Sequence, residues 1–147
     1  MVQGVLRMSD VRLAETDEDI ARGFGVMQQL RPHLEEGAFV ATVRRLQRSG
    51  FHLALVDEGG RVVAAAGFRF IENLFSGRIL YVDDLVTDAA ERSRGHGRTL
   101  LNWLIERARA EGCRSFELDS GVQRFDAHRF YFTNRMVISS HHFRLAL

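Results

Sequence analysis

Apolar residues recur every three or four positions over one long stretch, and this spacing predicts a helix. The stripe consists of Leu100, Leu101, Leu104, Ile105 and Ala108. Such a stripe places one apolar face of the helix against a sheet. Gly112 marks the end of the stretch, because glycine adopts the left-handed conformation after a helix at little cost. We therefore predict an amphipathic helix that begins within residues 92–98 and stops before Gly112.

Shorter apolar and alternating stretches predict strands on both sides of this helix. The predicted strands span residues 11–14, 51–56, 61–70, 78–86 and 115–119. Hairpin turns are expected at residues 57–60 and 76–77. The 115–119 strand should lie parallel to the 79–86 strand through a right-handed crossover.

Two helices are expected between the first two strands. The first carries Ile20, Phe24, Met27 and Leu30 and ends before Pro32, and the second runs through Phe39 and Val43 to Gly50. The pattern as a whole predicts an α/β (α+β) fold. Its sheet is mixed and mostly antiparallel with flanking helices, in a single domain over residues 1–147.

Composition narrows the possible functions. The formal charge of +1 gives no general attraction to nucleic acid. The single cysteine, Cys113, excludes an intrachain disulfide, and the spacing of the histidines predicts no metal site. No apolar run reaches membrane-spanning length, and the N-terminus lacks the core of a signal peptide. We therefore expect a cytoplasmic protein without a membrane, nucleic-acid or metal partner.

A basic, glycine-rich turn begins the long helix. It reads Arg92-Ser93-Arg94-Gly95-His96-Gly97-Arg98. The first N–H groups of a helix have no intrahelical partner, and the helix dipole favours an anion there. A dinucleotide fingerprint requires a third glycine where Leu100 stands, and a P-loop requires a Gly-Lys-Ser/Thr tripeptide, which the chain lacks. The turn therefore predicts a phosphate site of another kind.

The spacing Arg92-x-x-Gly95-x-Gly97, with an acidic strand before it and an amphipathic helix after it, resembles motif A of the GNAT superfamily of N-acetyltransferases. The resemblance implies a GNAT-like acyl-CoA N-acyltransferase fold and acetyl-CoA as the acyl donor. It implies main-chain contacts to the pantetheine arm from one strand and pyrophosphate contacts from the turn. The cofactor-binding residues so implied are Leu85, Val86, Thr87, Arg92, Ser93, Arg94, Gly95, His96, Gly97, Arg98 and Thr99.

Two further features extend the resemblance. Ala127-His128-Arg129-Phe130-Tyr131 is similar to the family's A-x-x-F-Y segment, which implies that the Tyr131 hydroxyl protonates the departing thiolate. Asp83 and Asp84 stand where related enzymes carry an acidic residue. On a regular strand adjacent side chains face opposite ways, so one carboxylate faces the cleft unless a bulge intervenes. We assign Asp83 as the base and Asp84 as an amine contact or structural group.

The resemblance also implies a closing hairpin near residues 137–138 and 142–145. Two positions depart from the family pattern. Arg124 stands where many members have asparagine, and Asn134-Arg135 replaces an Asn-Gly turn.

The resemblance implies transfer of an acetyl group from acetyl-CoA to a primary amine by direct attack in a ternary complex. The acceptor is a small-molecule or protein amine, and a homodimer is possible. The alternative is a coenzyme A-binding regulatory or interaction module without turnover.

Overall fold

The computed structural model describes residues 11–147 of the chain. Residues 1–10, on which the absence of a signal peptide partly depends, lie outside the described residues. The chain divides into two compact units, residues 1–117 and residues 118–147, and each is described by itself below. The expectation of one domain over residues 1–147 stays a prediction.

A mixed five-stranded sheet, in the order β1-β2-β3-β4-β5, forms the centre of the fold. The strands are β1 (Val11–Leu13), β2 (Phe51–Glu58), β3 (Arg61–Asn73), β4 (Gly77–Thr87) and β5 (Ser115–Leu118). The first three neighbouring pairs are antiparallel. Just before β5, Arg114 N–H donates to the carbonyl of Arg78 at 2.8 Å, so β5 starts beside the first residues of β4. All five predicted strands are therefore confirmed.

The helices of the described residues are α1 (Asp17–Arg22), α2 (Phe24–Leu30), α3 (Glu36–Gln47), α4 (His96–Ala110) and α5 (Phe125–Thr133). Between β4 and α4 lies one turn of 3-10 helix, Ala89–Glu91. The amphipathic stripe predicted α4, and Gly112 after it has a left-handed φ of 72°. No helix in residues 11–147 combines the length and apolar character needed to cross a bilayer.

The first predicted helix forms as two short helices on either side of Gly23. Thr16 caps the first of these helices at its N-terminus, since Thr16 Oγ1 accepts from Asp19 N–H at 3.1 Å. Gly23 keeps right-handed helical angles, φ −78° and ψ −12°. A Cβ built on Gly23 would lie 3.0 Å from a Leu55 methyl group, so glycine lets this helical segment pack closely on β2.

The hairpin between β2 and β3 forms at the turn that the sequence predicts within residues 57–60. Its turn is Gly59–Gly60, and both residues have positive φ, 59° and 80°. A two-residue turn with positive φ at both positions matches the right-handed twist of the paired strands. Glu58 and Arg61 close the ladder as direct partners, and the register shifts by one residue between Asp57 and Val56, after which it stays constant to Phe51.

Helices cover both faces of the sheet in the first unit. Ile20, Phe24, Phe39 and Val43 from α1–α3 form one core cluster with Leu53 and Leu55 of β2. On α4, Leu100, Leu101 and Leu104 are fully buried, and this helix packs on β3 and β4. Burial on both sides explains why β3 is almost continuously apolar from Val62 to Phe68 rather than alternating.

The closing hairpin is the part of the prediction that the structure contradicts. Residues 136–147 are all described, and they contain no strand. Their large apolar side chains are exposed, among them Val137, Ile138, Phe143 and Leu145. Apolar and β-branched residues give a segment strand propensity, but propensity alone forms no ladder without a paired neighbour.

The turn after α5 has arginine where the family pattern has the glycine of an Asn-Gly turn. Arg135, in the turn after α5, adopts the left-handed conformation with φ 68°, which glycine would adopt at lower cost.

Candidate active site

A β-bulge in β4 determines how the two adjacent aspartates are presented. Gly67 of β3 pairs with Asp84, and the next residue, Phe68, pairs with Val82. Asp83 is therefore an extra residue with no direct partner on β3. A bulge bends the strand and redirects its side chains. Asp83 and Asp84 consequently line the same cavity, whereas a regular strand would have presented only one of them.

The cavity beside the bulge has a volume of about 320 Å³. Its lining residues are Leu46, Ser49, Phe51, Arg69, Asp83 and Asp84. The end of α3 and the segment that follows it supply Leu46 and Ser49, and β2–β4 supply the rest. One wall is thus apolar and the other carries paired charges, which is the usual composition of a small-molecule site.

Gly67 makes the close approach of Asp84 to β3 possible. A Cβ at position 67 would lie 2.5 Å from Asp84 Oδ2 and 2.4 Å from a carbon of the Phe51 ring. Neither distance is tolerated by real atoms, so any side chain here would displace the carboxylate or the ring. The glycine therefore serves packing at this site, since its φ is not in the left-handed region.

Each aspartate is held by an arginine. Arg69 donates two hydrogen bonds to Asp83, with Nε–Oδ2 2.8 Å and Nη2–Oδ1 2.7 Å. Arg31 donates from Nε to Asp84 Oδ1 at 2.9 Å and from Nη2 to the Asp83 carbonyl at 2.9 Å. Asp83 thus has both carboxylate oxygens in a bidentate pair. For Asp84, Arg31 binds one oxygen and leaves Oδ2 beside Gly67.

The two carboxylates differ in their electrostatics. Burial raises the pKa of the Asp84 carboxyl above its ordinary value, and the hydrogen bond from Arg31 opposes this shift only in part. The Asp84 side chain retains 18% of its accessible surface. Hydrogen bonding to Asp83 raises the pKa of the Arg69 guanidinium, which keeps that arginine charged. The raised pKa gives Asp84 an increased tendency to accept a proton.

Sequence reasoning missed Arg31 and Arg69. Arg31 is the C-terminal cap of α2 and lies 53 residues before Asp84. Arg69 is one of several polar residues on β3, and only the pairing register places it near Asp83. Nothing local in the sequence distinguishes either residue from the other arginines.

The glycine turn has the geometry expected of an anion site. Gly95 is the N-cap of α4 with φ 84°, and no side chain caps this helix end. Ser93 also has a positive φ, 68°. Thr99 N–H donates to the Gly95 carbonyl at 3.0 Å, so the N–H groups at 96–98 are those without an intrahelical acceptor. An uncapped helix start with a left-handed glycine leaves room for a phosphate at these donors.

Polar contacts anchor the segment before this turn. Asp88 Oδ1 accepts from Ala90 N–H at 3.1 Å, and Gln29 Oε1 accepts from Ala89 N–H at 2.9 Å. The hydrogen bond from Ala90, and a second one from Gln29 Nε2 to Asp88 Oδ1 at 3.2 Å, lower the pKa of Asp88, and the two contacts of Gln29 tie the segment to α2. Arg94 pairs with Glu91 at 3.2 Å. Arg92 and Arg98 have no ion pair within residues 11–147 and are exposed, so both are free to meet an incoming anion.

His96 differs from the other predicted contacts because its side chain turns inward. It is only 5% exposed, and its Nε2 lies 3.7 Å from Glu58 Oε1. What His96 can offer an anion at the turn is therefore its backbone N–H.

The end of β4 contains the three residues predicted to contact the pantetheine arm. On one side, Leu85, Val86 and Thr87 pair with Ala66, Ala65 and Ala64 of β3. On the other side, β5 has four residues and is too short to pair along the whole of β4.

Tyr131 lies on α5, in the second unit. It is 9% exposed, and its ring packs edge-on against Phe130 with centroids 5.6 Å apart. Burial raises the pKa of its hydroxyl, so Tyr131 carries its proton at neutral pH. The structure brings Asp83 and Asp84 together at the cavity in the first unit; the role of Tyr131 stays a prediction.

A mixed sheet with a bulged acidic strand, followed by a glycine turn at the start of a covering helix, defines the class of acyl-CoA acyltransferase folds. A sequence profile described as the acetyltransferase (GNAT) family matches residues 14–133. The chain belongs to the GNAT acetyltransferase family, whose general reaction is acetyl transfer to an amine.

Known relatives agree with this assignment. The chain is 32% identical over 140 residues to an uncharacterized N-acetyltransferase, YhdJ, of Bacillus subtilis, covering 93% of this chain and 98% of that protein. It is 43% identical over 104 residues to glucosamine 6-phosphate N-acetyltransferase 1 of Oryza sativa, covering 65% of this chain and 63% of that protein. The solved structure of a putative acetyltransferase from Agrobacterium tumefaciens superposes with a TM-score of 0.80 at 26% identity, covering 93% of this chain and 99% of that one.

The close approach at Gly67 yields a stability prediction. Gly67→Ala should lower the free energy of unfolding by about 1–3 kcal/mol, because the added methyl group must displace Phe51 or Asp84. Urea unfolding measures the change. Gly25→Ala is the matched control, since Gly25 is exposed on α2 and a Cβ there meets nothing within 4 Å. That control should gain up to about 1 kcal/mol from helix propensity. Unchanged stability of Gly67→Ala would contradict the packing role.

Proposed function

We propose that this protein transfers an acetyl group from acetyl-CoA to a primary amine by direct attack in a ternary complex. The observation that carries the proposal is Asp84, a carboxylate with a raised pKa at the bulge of β4, beside a cavity of about 320 Å³. Family membership supplies the general reaction. The residues of this chain supply the binding and proton-transfer groups described next.

The donor binds at the glycine turn and along β4. Backbone N–H groups of His96, Gly97 and Arg98 bind the pyrophosphate, with Arg92 and Arg98 adding charge. Main-chain groups of β4 hold the pantetheine arm, a contact independent of side-chain identity. The remaining contacts of the turn come from Ser93, Arg94, Gly95 and Thr99, and those of β4 from Leu85, Val86 and Thr87.

Asp84 serves as the general base in place of Asp83. An alkyl amine with a pKa of about 10.4 is neutral in only about one molecule in a few thousand at pH 7, and only the neutral amine attacks a thioester. Asp84 accepts the amine proton, directly or through water. Its raised pKa suits it to this task, whereas Asp83 is engaged at both oxygens by Arg69 and contributes to the shape and charge of the cavity.

Tyr131 serves as the general acid. The amine nitrogen bonds to the thioester carbonyl carbon, the carbon–sulfur bond breaks, and the departing thiolate takes the phenolic proton. Burial raises the pKa of Tyr131, which keeps the proton available. No covalent enzyme intermediate is involved. Burial also raises the pKa of the Cys113 thiol, which disfavours its nucleophilic thiolate form.

The acceptor is a small-molecule or protein amine. Relatives named as glucosamine 6-phosphate N-acetyltransferases make that amino sugar the first acceptor to test. Release of free coenzyme A thiol, measured across a panel of amino sugars, aminoglycosides, polyamines and peptides, tests the function. Coenzyme A binding without thiol release from any amine would instead support a binding module without turnover.

The glycine turn should fail as a donor site when a branched side chain is added. Gly97→Val places two methyl groups where the pyrophosphate approaches, so calorimetry should show a large loss of coenzyme A affinity. Arg92→Ala should lose much less, because an exposed charge contact is screened by salt. Gly37→Val controls for the cost of valine in a helix, since Gly37 and Gly97 are both second residues of their helices. Equal affinity in wild type and a folded Gly97→Val would contradict the assignment.

Asp84→Asn should lower kcat/KM by about 10²–10⁴-fold and remove the acidic limb of the pH profile. Asp83→Asn should retain that limb. Stability gives an independent readout. Because the folded-state pKa of Asp84 is raised, stability falls as pH rises from its unfolded pKa through its folded pKa. Asp84→Asn should abolish this slope. A variant with wild-type turnover and pH profile would rule out Asp84 as the base.

Tyr131→Phe should reduce turnover by roughly 10- to 100-fold, or about 1.4–2.7 kcal/mol in the transition state, with donor affinity nearly unchanged. The effect is modest because a thiolate, whose conjugate thiol has a pKa of about 8.5, leaves readily even without protonation. Steady-state kinetics beside a binding titration separates the two quantities. Tyr81→Phe is the control, since Tyr81 is the other tyrosine of the chain. Full turnover in a folded Tyr131→Phe would leave Tyr131 as a packing residue.

A further inference from the structure

The Nε2 atom of His96 is the starting point, because it is buried without a hydrogen bond. The residue is 5% exposed, and its Nε2 is a buried atom for which residues 11–147 provide no hydrogen-bond partner. Buried polar atoms in proteins are nearly always paired with protein, water or an ion. The position of Nε2 therefore calls for a partner that is neither a backbone group nor a neighbouring side chain.

Two carboxylates lie around this nitrogen at distances too long for hydrogen bonds. Nε2 is 3.7 Å from Glu58 Oε1 and 3.9 Å from Glu91 Oε1. The three ligand atoms all lie within 4.8 Å of one another. A metal ion holds nitrogen and oxygen ligands at about 2.0–2.2 Å, so two ligands of one ion lie about 3–4 Å apart. The two distances from Nε2, 3.7 and 3.9 Å, fall within this range, which is compatible with an ion placed between the three side chains.

We propose that Glu58, Glu91 and His96 form a binding site for a divalent metal ion of the Zn²⁺ type. One imidazole nitrogen and two carboxylate oxygens make a donor set suited to zinc and its first-row neighbours rather than to Mg²⁺ or Ca²⁺, which prefer oxygen alone. Three protein ligands leave a fourth position for water. Glu58 and Glu91 are 27% and 12% exposed in their side chains, so the site is open enough for an ion to enter.

Two arginines orient the Glu91 carboxylate without occupying it fully. Arg61 Nη2 donates to Glu91 Oε2 at 2.6 Å, and Arg94 Nη1 donates to Oε1 at 3.2 Å. A carboxylate offers about four lone-pair positions, so Oε1 can accept from Arg94 and bind an ion as well. Groups that hold a metal ligand in place strengthen the site. Arg61 also forms an ion pair with Asp88 at 3.3 Å, so part of the positive charge of Arg61 is balanced by Asp88.

The three proposed ligands come from three separate segments of the chain. Glu58 ends β2, Glu91 lies in the 3-10 turn, and His96 is the first residue of α4. An ion would join the β2–β3 hairpin to the segment that leads into the glycine turn. The sequence predicts no metal site because its histidines do not stand at ligand spacing. The proposed site instead combines one histidine with two glutamates that are distant from each other in the sequence. The bound ion should therefore stiffen the turn.

Zinc titration of the chelator-treated protein tests the site directly. Calorimetry should show one equivalent of Zn²⁺ bound, and Co²⁺ should give a visible absorption band in the same stoichiometry. His96→Gln and Glu58→Gln should each weaken binding by more than the ~10–100-fold that loss of a supporting partner costs. Glu58→Gln keeps the test valid should the buried His96 variant fold poorly. Hydrogen exchange of the amides at residues 95–99 should slow when Zn²⁺ is added to the wild type.

Exposed histidines provide the control. His142 Nδ1 lies 2.8 Å from Asp119 Oδ2 in the second unit, and this exposed pair is the obvious place for adventitious zinc. His142→Gln should retain full Zn²⁺ affinity. Binding that is lost in His142→Gln but kept in His96→Gln and Glu58→Gln would overturn the proposal. So would the absence of stoichiometric binding in the wild type, or NMR evidence that a proton remains on Nε2 of His96 in saturating Zn²⁺. None of these outcomes depends on acetyl transfer.

Discussion

The bulge at Asp83 is the constraint on which the candidate site depends. On a regular strand, the carboxylates of Asp83 and Asp84 would lie on opposite faces of the sheet, and only one would face the cavity. Gly67 is the necessary complement on β3, because only a residue without a side chain admits Asp84 Oδ2 and the Phe51 ring at the same place. The bulge in β4 and the glycine in β3 are therefore both needed to bring the two carboxylates to the same cavity.

The two arginine–aspartate pairs show how one environment gives two carboxylates different properties. Asp83 is exposed enough to be solvated and is bound at both oxygens by Arg69. Asp84 is more buried and receives one hydrogen bond, so desolvation dominates and its pKa rises. This shift costs stability at neutral pH, since ionising Asp84 is harder in the folded state. Proteins retain such unfavourable groups mainly where a proton must be moved.

Most of the fold could be predicted from local patterns, whereas the site depended on pairing that local patterns do not contain. The stripe from Leu100 to Ala108 and the Gly59–Gly60 turn each specify their own element. The closing hairpin that the family resemblance implied near residues 137–138 and 142–145 did not form, because a strand also requires a partner. The glycine turn was recognisable since all its residues are consecutive. Arg31 could not be recognised as a partner of Asp84, because only the packing of α2 against β4 brings them together.

The backbone N–H and the side chain of His96, the first residue of α4, point in different directions because of helix geometry. At a helix start the backbone N–H groups point along the axis, out of the end of the helix, while each side chain projects sideways. At His96 the N–H therefore points out of the helix end, where we propose the anion site, and the imidazole faces Glu58 and Glu91. Anything that holds the imidazole also fixes the direction of that N–H. The glycines on either side have no side chain, so at these three positions the imidazole is the side chain able to fix the geometry of the turn.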